Sequence, residues 1–269
     1  MTKEEPGEPK LQSLLQGYYR DTLGRPDWRE VTERRIKSRP VQAIVARLNL
    51  YVPLAGKTVL DVGCGFGDLL LEANTLGANV FGIDPDYDWI VTGNAWLTSK
   101  RVPAALGIAV GEALPFRNDC FDVIISNQVL EHVRNPLSII CEMARVLKPG
   151  GACYINFPNY LLPIELHYRV PWIPFLPKTL GKAYLAILGR NSTYLDEIHY
   201  TTAVQVLRML RRVGLTIEVN LIHEMIEHPS LLASKLYRTL AKILKAVRVP
   251  PHVIMLLTPT VSLILRKPG

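Results

Sequence analysis

Between Lys57 and Phe157 the chain alternates short, almost wholly apolar runs with longer amphipathic ones. Val59-Leu60, Asn79 to Ile83, Ala105 to Val110, Phe121 to Ser126 and Ala152 to Asn156 read as strands. Asp68 to Leu76, Asp88 to Ser99 and Pro136 to Val146 read as helices between them. Near-continuous apolar strands alternating with helices predict a parallel sheet covered on both faces. Such a sheet binds its ligand beyond the carboxyl ends of its strands.

The flanks carry different patterns. Leu11 to Tyr19 and Asp27 to Asn49 predict helices, the second with apolar Ile36, Ile44, Val45 and Leu48 and an interruption at Pro40. Thr201 to Val213 sets Val204, Leu207, Met209 and Leu210 against Arg208, Arg211 and Arg212, and Gly214 ends that helix. Leu215 to Leu221 predicts a sixth strand and Thr260 to Arg266 a seventh. Leu231 to Val247 repeats Leu232, Leu236, Leu240 and Leu244 against Lys235, Arg238, Lys242 and Lys245. That pattern fits a helix lying in a membrane interface or one packing its leucines on the core. Asn159 to Thr193 follows no period; its segments 161–168 and 171–177 are apolar, aromatic and proline-rich, and the prolines reduce the entropy lost on ordering.

Length and composition narrow the class. The 269 residues suffice for one large α/β domain with a sizeable core. Mean hydropathy is slightly apolar at +0.14, yet no uninterrupted apolar run reaches about 18 residues, so no spanning helix is expected. Val249 to Leu265 comes nearest and is broken by Pro250, Pro251, His252 and Pro259. Met1 to Lys10 is polar, without the apolar core of a signal peptide. Cys64, Cys120, Cys141 and Cys153 show no paired or zinc-like spacing, which predicts reduced thiols and a cytoplasmic protein. The net charge of +7 resides entirely in the last two-fifths of the chain. Residues 158–269 hold 14 basic and 6 acidic groups, leaving 17 and 18 for residues 1–157. The C-terminal part therefore differs in its partners from the rest of the chain.

The sharpest chemistry lies in Asp61-Val62-Gly63-Cys64-Gly65-Phe66-Gly67, directly after the first strand. Its glycines let a backbone turn sharply and approach a ligand. Asp84, 17 residues beyond Gly67 at the end of the second strand, is where a carboxylate meets ribose hydroxyls. The spacing is G-x-G-x-G, one residue short of the dinucleotide fingerprint. Asp61 would repel a pyrophosphate and attract an ammonium group. S-adenosylmethionine has ribose hydroxyls and an α-amino group and no phosphate.

Further segments follow in order: Gly111-Glu112-Ala113-Leu114-Pro115-Phe116, Cys120 to Asn127, Gln128-Val129-Leu130-Glu131-His132-Val133, and Leu147-Lys148-Pro149-Gly150-Gly151. Over residues 56–158, and more weakly over 199–223, the chain resembles the class I S-adenosylmethionine-dependent methyltransferases, of the small-molecule, type 11-like kind. The resemblance implies an α/β fold with a doubly wound, seven-stranded, mostly parallel sheet whose seventh strand is antiparallel. It divides the chain into an N-terminal helical cap (1–52), the cofactor core (53–158), a lid insertion after strand five (159–198) and a C-terminal completion of the sheet (199–269). Tyr18 and Tyr19 would then line the cofactor cleft or pack beneath it.

Residue by residue, the resemblance assigns Asp61, Gly63, Gly65 and Gly67 to the methionine end of S-adenosylmethionine and Asp84 to its ribose. Asn127 and Gln128 would stand beside the methionine moiety or the reacting centre. Gly111 or Glu112 would serve adenine, where many relatives carry an Asp-Ala pair and this chain has Val110-Gly111. Glu131 and His132 resemble the Glu-His pair of many small-molecule methyltransferases; with His167 and His199 they are catalytic candidates, each with a structural reading beside it. In ubiquinone-type O-methyltransferases a second acid three residues earlier joins the pair and metal binding is associated with it. Gln128 occupies that place here, so no metal is expected. In-line methyl transfer requires alignment above all, and a base only where the acceptor must lose a proton.

The leading expectation is a small apolar or lipid-linked acceptor, with the basic helix on an anionic membrane surface. A nucleic-acid methyltransferase is the alternative suggested by a pI near 9.2. Against it, strand four ends Ser126-Asn127-Gln128-Val129 without the Asn/Asp-Pro-Pro-aromatic turn, and no basic-aromatic stacking surface is evident. A non-catalytic cofactor-binding module is a third reading, opposed by the intact motifs. Oligomeric state is left open.

Overall fold

A computed structural model describes residues 8–37, 39–227, 235–248, 250–256 and 258–269. The apolar runs become β1 (Thr58–Val62), β2 (Asn79–Asp84), β3 (Ala105–Ile108), β4 (Phe121–Asn127) and β5 (Leu147–Pro158), all parallel. A hairpin of β6 (Ile164–Glu165) and β7 (Val170–Pro171) stands apart from the sheet. β8 (Thr216–Asn220) and β9 (Thr260–Arg266) complete it in the order β3-β2-β1-β4-β5-β9-β8, with β9 antiparallel to both neighbours. The seven-stranded, mostly parallel sheet expected from the sequence is present. The strand order reverses between β1 and β4, which opens a crevice outside their carboxyl ends.

Two strands are longer than the hydropathy pattern indicates. β1 extends from Thr58 to Val62 because those residues pair with Asn79 and Ile83. β5 begins at Leu147, which pairs with Phe121 before an irregularity accommodates the Pro149-Gly150-Gly151 turn.

The helices are α1 (Glu8–Gln16), α2 (Trp28–Ile36), α3 (Arg39–Tyr51), α4 (Asp68–Thr75), α5 (Tyr87–Ser99), α6 (Pro136–Val146), α7 (Lys178–Ile187), α8 (Ala203–Val213), α9 (Leu221–Glu227), α10 (Lys235–Ala246) and α11 (Pro251–Leu256). α1 runs on into a wider π-helical turn at Gly17–Thr22. The single helix expected over 27–49 is two, and Pro40 falls in the first turn of α3, where its missing N–H costs nothing. Asp86 caps α5 through the backbone N–H groups of Asp88 and Trp89. Thr202 and Gln205 form a capping box on α8, which ends at Gly214 in the left-handed conformation.

Apolar clusters cover both faces of the sheet. Val45, Leu48, Leu70 and Trp96 pack on Val59, Val123 and Tyr154. Ile139, Met143, Val206 and Leu210 pack on Leu60, Ile124, Ile155 and Leu263. The insertion after β5 has its own core of Tyr160, Tyr168, Trp172, Leu185, Tyr194 and Ile198, closed by Leu23 from the N-terminal region. A proline-rich loop was the expectation; the hairpin, α7 and a 3-10 turn (Thr193–Glu197) are the finding. Its prolines mark element boundaries, Pro171 in β7 and Pro177 before α7.

The basic amphipathic segment forms α10. Leu232 lies outside the described residues, as do the side chains of Leu236 and Leu240. Leu244 packs against a small cluster of Ile226, Ala241 and Ile254, while Ile243 and Val247 are exposed. Among the described residues no helix is long and apolar enough to cross a membrane.

Candidate active site

β1 delivers Asp61 to the foot of the glycine turn, where it is buried. The N–H groups of Gly63 and Cys64 both donate to the Ile83 carbonyl, at 2.8 and 2.9 Å, tying the turn to the end of β2. Asp84, one residue further, accepts from Gly65 N–H at 2.9 Å and from Asp86 N–H at 3.0 Å. The β1–β2 register therefore sets Asp84 at the lip of the turn. Around Gly65 (φ 53°) no atom lies within 4 Å of where a Cβ would stand, so the turn faces open space there. At Gly63 the same construction meets Val129 Cγ2 at 2.5 Å. One glycine leaves room for a ligand and the other for the protein.

Three carboxylates and one guanidinium surround this turn. Asp61 and Asp68 are buried and Asp84 is partly so. Arg35 from α2 pairs with Asp68 at 2.7 Å and lies over the Phe66 ring. Neither carboxylate oxygen of Asp61 has a hydrogen-bond partner. Burial pushes the Asp61 carboxyl well above its ordinary range, and the charges of Asp68 and Asp84 push the same way. Burial also raises Asp84, against the pull of its two backbone donors. A buried, unpaired acid beside two others suits a cationic group and repels a phosphate. The residues fit S-adenosylmethionine: Asp61 matches its ammonium, the space at Gly65 admits it, and Asp84 keeps lone pairs for ribose hydroxyls.

Asn127 ends β4 opposite Asn156. Gln128 has a left-handed backbone (φ 59°), and its side-chain amide donates to Asn156 Oδ1, tying it to the end of β5. Asn156 in turn donates to Ser262 Oγ of β9 at 2.5 Å. A Cβ at Gly111 would meet the end of the Ile139 side chain, so α6 packs closely on the backbone there. Glu112 is partly buried beside it.

The second group of candidates converges from two distant segments. Glu131 and His132 follow β4, and His167 comes from the β6–β7 hairpin. Nε2 of His132 lies 3.8 Å and Nε2 of His167 3.9 Å from Glu131 Oε1. Glu131 is fully buried, and both of its carboxylate oxygens are unpartnered. Burial raises its carboxyl to about 7, with nearby His167 opposing the shift. Burial and the neighbouring His167 lower His132 to about 4. Burial alone would lower His167 too, but its hydrogen bond to Glu165 holds it above the ordinary histidine value. The structure brings Glu131, His132 and His167 together. His199 reaches this group through its backbone N–H, which donates to the Glu131 carbonyl at 2.6 Å, while its ring is partly solvent-exposed.

The sequence reading missed two residues here, Glu165 and Tyr194, whereas Tyr18 was among its expectations for the cleft. Glu165 is buried, lies 2.9 Å from His167 Nδ1, and accepts from Tyr168 N–H at 2.6 Å and Tyr160 OH at 3.1 Å. Tyr194 contacts His132 Nε2 through its hydroxyl at 3.3 Å and accepts from Tyr18 OH at 2.8 Å. Only the local Glu165-x-His167 spacing signalled any of this. A row of aromatic contacts then joins the two groups: Phe66 to Trp89, Trp89 to Tyr18, Tyr18 to Tyr194, and Tyr194 to both His132 and His167. The N-terminal helices thus supply part of the wall between glycine turn and histidines. A separate cavity of about 580 Å³ lies by α8 and β8, lined by Leu207, Leu210, Leu215, Ile217 and Met255 and by none of the candidates.

Residues 60–155 match the family model described as a methyltransferase domain. Over 173 residues the chain is 32% identical to the ubiquinone biosynthesis O-methyltransferase of Thiobacillus denitrificans, covering 62% of this chain and 67% of that one. An uncharacterized methyltransferase of Mycobacterium tuberculosis is 36% identical over 115 residues, 43% of this chain and 44% of that relative, so this match spans less than half of the relative's length. Magnesium protoporphyrin IX methyltransferase from Synechocystis PCC 6803 superposes with a TM-score of 0.56 at 16% identity, covering 95% of this chain and 99% of that one, a likeness of fold. The chain belongs to the class I S-adenosylmethionine-dependent methyltransferases.

Proposed function

We propose that this chain transfers a methyl group from S-adenosylmethionine to a small, largely apolar acceptor held beneath the insertion that follows β5. The observation that carries the reading is the unpaired, buried Asp61 beside the open Gly65 turn, joined by one aromatic wall to a buried carboxylate–histidine group. When bound, the cofactor supplies a sulfonium methyl group open to in-line displacement. Asp61 holds its ammonium and Asp84 its ribose; Tyr18, Trp89 and Tyr194 exclude water along the wall. Glu131, His132 and His167 face the acceptor, where a histidine can take the proton that a hydroxyl loses on attack. The relative named for O-methylation in ubiquinone biosynthesis supports an oxygen acceptor on an apolar molecule. Methyl-labelled S-adenosylmethionine offered with phenolic and lipid-linked alcohols, and separately with RNA, tests this. Label should enter the small acceptors, and His132→Ala should slow that transfer roughly 10²–10⁴-fold. Label entering RNA alone would reject the reading.

An apolar acceptor also suits a surface contact with anionic membranes. α7 turns Leu180, Ala183 and Ile187 to solvent at helical spacing, and Ile173 and Phe175 beside it are exposed. The basic α10, with Lys242 exposed, would add a salt-sensitive attraction. On anionic liposomes, Leu180→Ser/Ile187→Ser should remove salt-resistant sedimentation, and Lys242→Glu should weaken only the salt-sensitive part. Equal, negligible pelleting of wild type and variants would leave α7 a plain solvated face.

A further inference from the structure

We propose that Glu131, His132 and His167 bind one late first-row divalent cation of the Zn²⁺ type, with a coordination position left open toward the acceptor. One donor atom from each residue lies within 4.8 Å of the other two. Metal–ligand bonds of about 2.0–2.2 Å place tetrahedral donors about 3.4 Å apart, so the observed 3.8 and 3.9 Å edges need to close by about half an ångström. The histidine–histidine edge lies within 4.8 Å, and the Tyr194 hydroxyl, 3.3 Å from His132 Nε2, has to turn aside. Two independent features point to a cation. Glu131 is a fully buried carboxylate with both oxygens unpartnered, a costly arrangement unless a positive charge is held against it. His167 has its Nδ1 engaged by Glu165 at 2.9 Å, which leaves Nε2 as the free nitrogen on the Glu131 side.

That second feature is the outer-sphere arrangement of metal-ligating histidines, whose far ring nitrogen donates to a carboxylate and so fixes the tautomer. Glu165 is itself fixed by Tyr168 N–H and Tyr160 OH. Two imidazoles and one carboxylate suit Zn²⁺ or Co²⁺ better than the all-oxygen preferences of Mg²⁺ or Ca²⁺. Three protein donors and a vacant position are also the arrangement of catalytic zinc sites. Gln128, whose replacement of an acid led to the expectation of no metal, is turned to Asn156. The third donor comes from a hairpin 36 residues beyond Glu131, through a contact that local spacing does not reveal. The use of the open position, to hold an acceptor hydroxyl and lower its pKa in place of a free histidine base, rests on the methyl-transfer reading; the site does not.

The full chain, free of any histidine tag and stripped with chelator, should take up one equivalent of Zn²⁺ by calorimetry and of Co²⁺ by visible absorption. His167→Ala should abolish that uptake, and Glu165→Gln should weaken it about 10–100-fold while the melting curve stays near wild type. S-adenosylmethionine binding measured on the same samples should be unchanged, which separates this site from the cofactor assignment. Absence of stoichiometric Zn²⁺ or Co²⁺ uptake by wild type overturns the proposal, as does undiminished uptake by a Glu165→Gln or His167→Ala protein that melts normally.

Discussion

Replacing Asp61 by Asn should make the cofactor-free protein more heat-stable and at the same time remove most of its affinity for S-adenosylmethionine. Asp61 is buried without a hydrogen-bond partner, and burial holds its carboxyl well above its ordinary value. In the unfolded chain the same group ionises near pH 3.9. Above that pH the unfolded state sheds the proton more readily than the folded one, so the folded state is the better proton binder. Stability therefore falls as pH rises from the unfolded value toward the raised folded value, and the loss is complete above both. Asparagine has no proton to lose and escapes that cost. The variant should be more stable at neutral pH and melt higher, by about 2–4 °C for each kcal/mol recovered in a domain of this size. Near pH 3.5 the advantage should vanish. Calorimetric titration with S-adenosylmethionine should show the opposite sign, with a loss of at least about tenfold. A variant that is less stable at pH 7, or that binds as wild type does, would remove Asp61 from the cofactor site.

The opposite signs express a general trade between binding and stability, in which a site keeps a group the fold would prefer to lose. Arg35 illustrates the local compensation. It pairs with Asp68 at 2.7 Å, while neither oxygen of Asp61 has a hydrogen-bond partner.

What the sequence reveals follows from the range of the interactions involved. The core strands are readable because each is an apolar run buried on both faces, and the glycine turn because backbone geometry leaves a local mark. α6 is readable to the residue, since Asn135 and Pro136 announce its start. α7 was hidden by its surroundings: prolines on its N-terminal side suggested a loop, although Lys178 to Leu188 contains none. The Glu131–His132–His167 grouping shows why half of a site stays invisible. Glu131 and His132 stand in a motif, but Glu165, Tyr194 and Tyr18 acquire meaning only when the insertion folds against the N-terminal helices. Gln128 is subtler still, because its position by the crevice was legible while its left-handed backbone and its bond to Asn156 were not.

The glycine turn permits a test that separates ligand space from packing space within five residues. Gly65→Ala should fold, because its Cβ would point into open space and the chief cost is a left-handed alanine, about 1–2 kcal/mol. That space is the one assigned to the cofactor, so S-adenosylmethionine affinity should drop by at least about 100-fold, roughly 3 kcal/mol. Gly63→Ala carries the same backbone strain at φ 76° and adds a Cβ 2.5 Å from Val129 Cγ2. Overpacking of this kind costs about 1–3 kcal/mol more, so this variant should melt well below Gly65→Ala. Trimming the obstruction should help: Gly63→Ala/Val129→Ala should recover part of the difference, giving a favourable coupling in the double-mutant cycle. Near wild-type affinity in Gly65→Ala would show that the turn does not touch the cofactor. A double variant no more stable than the sum of its parts would show that Val129 is not what requires glycine at position 63.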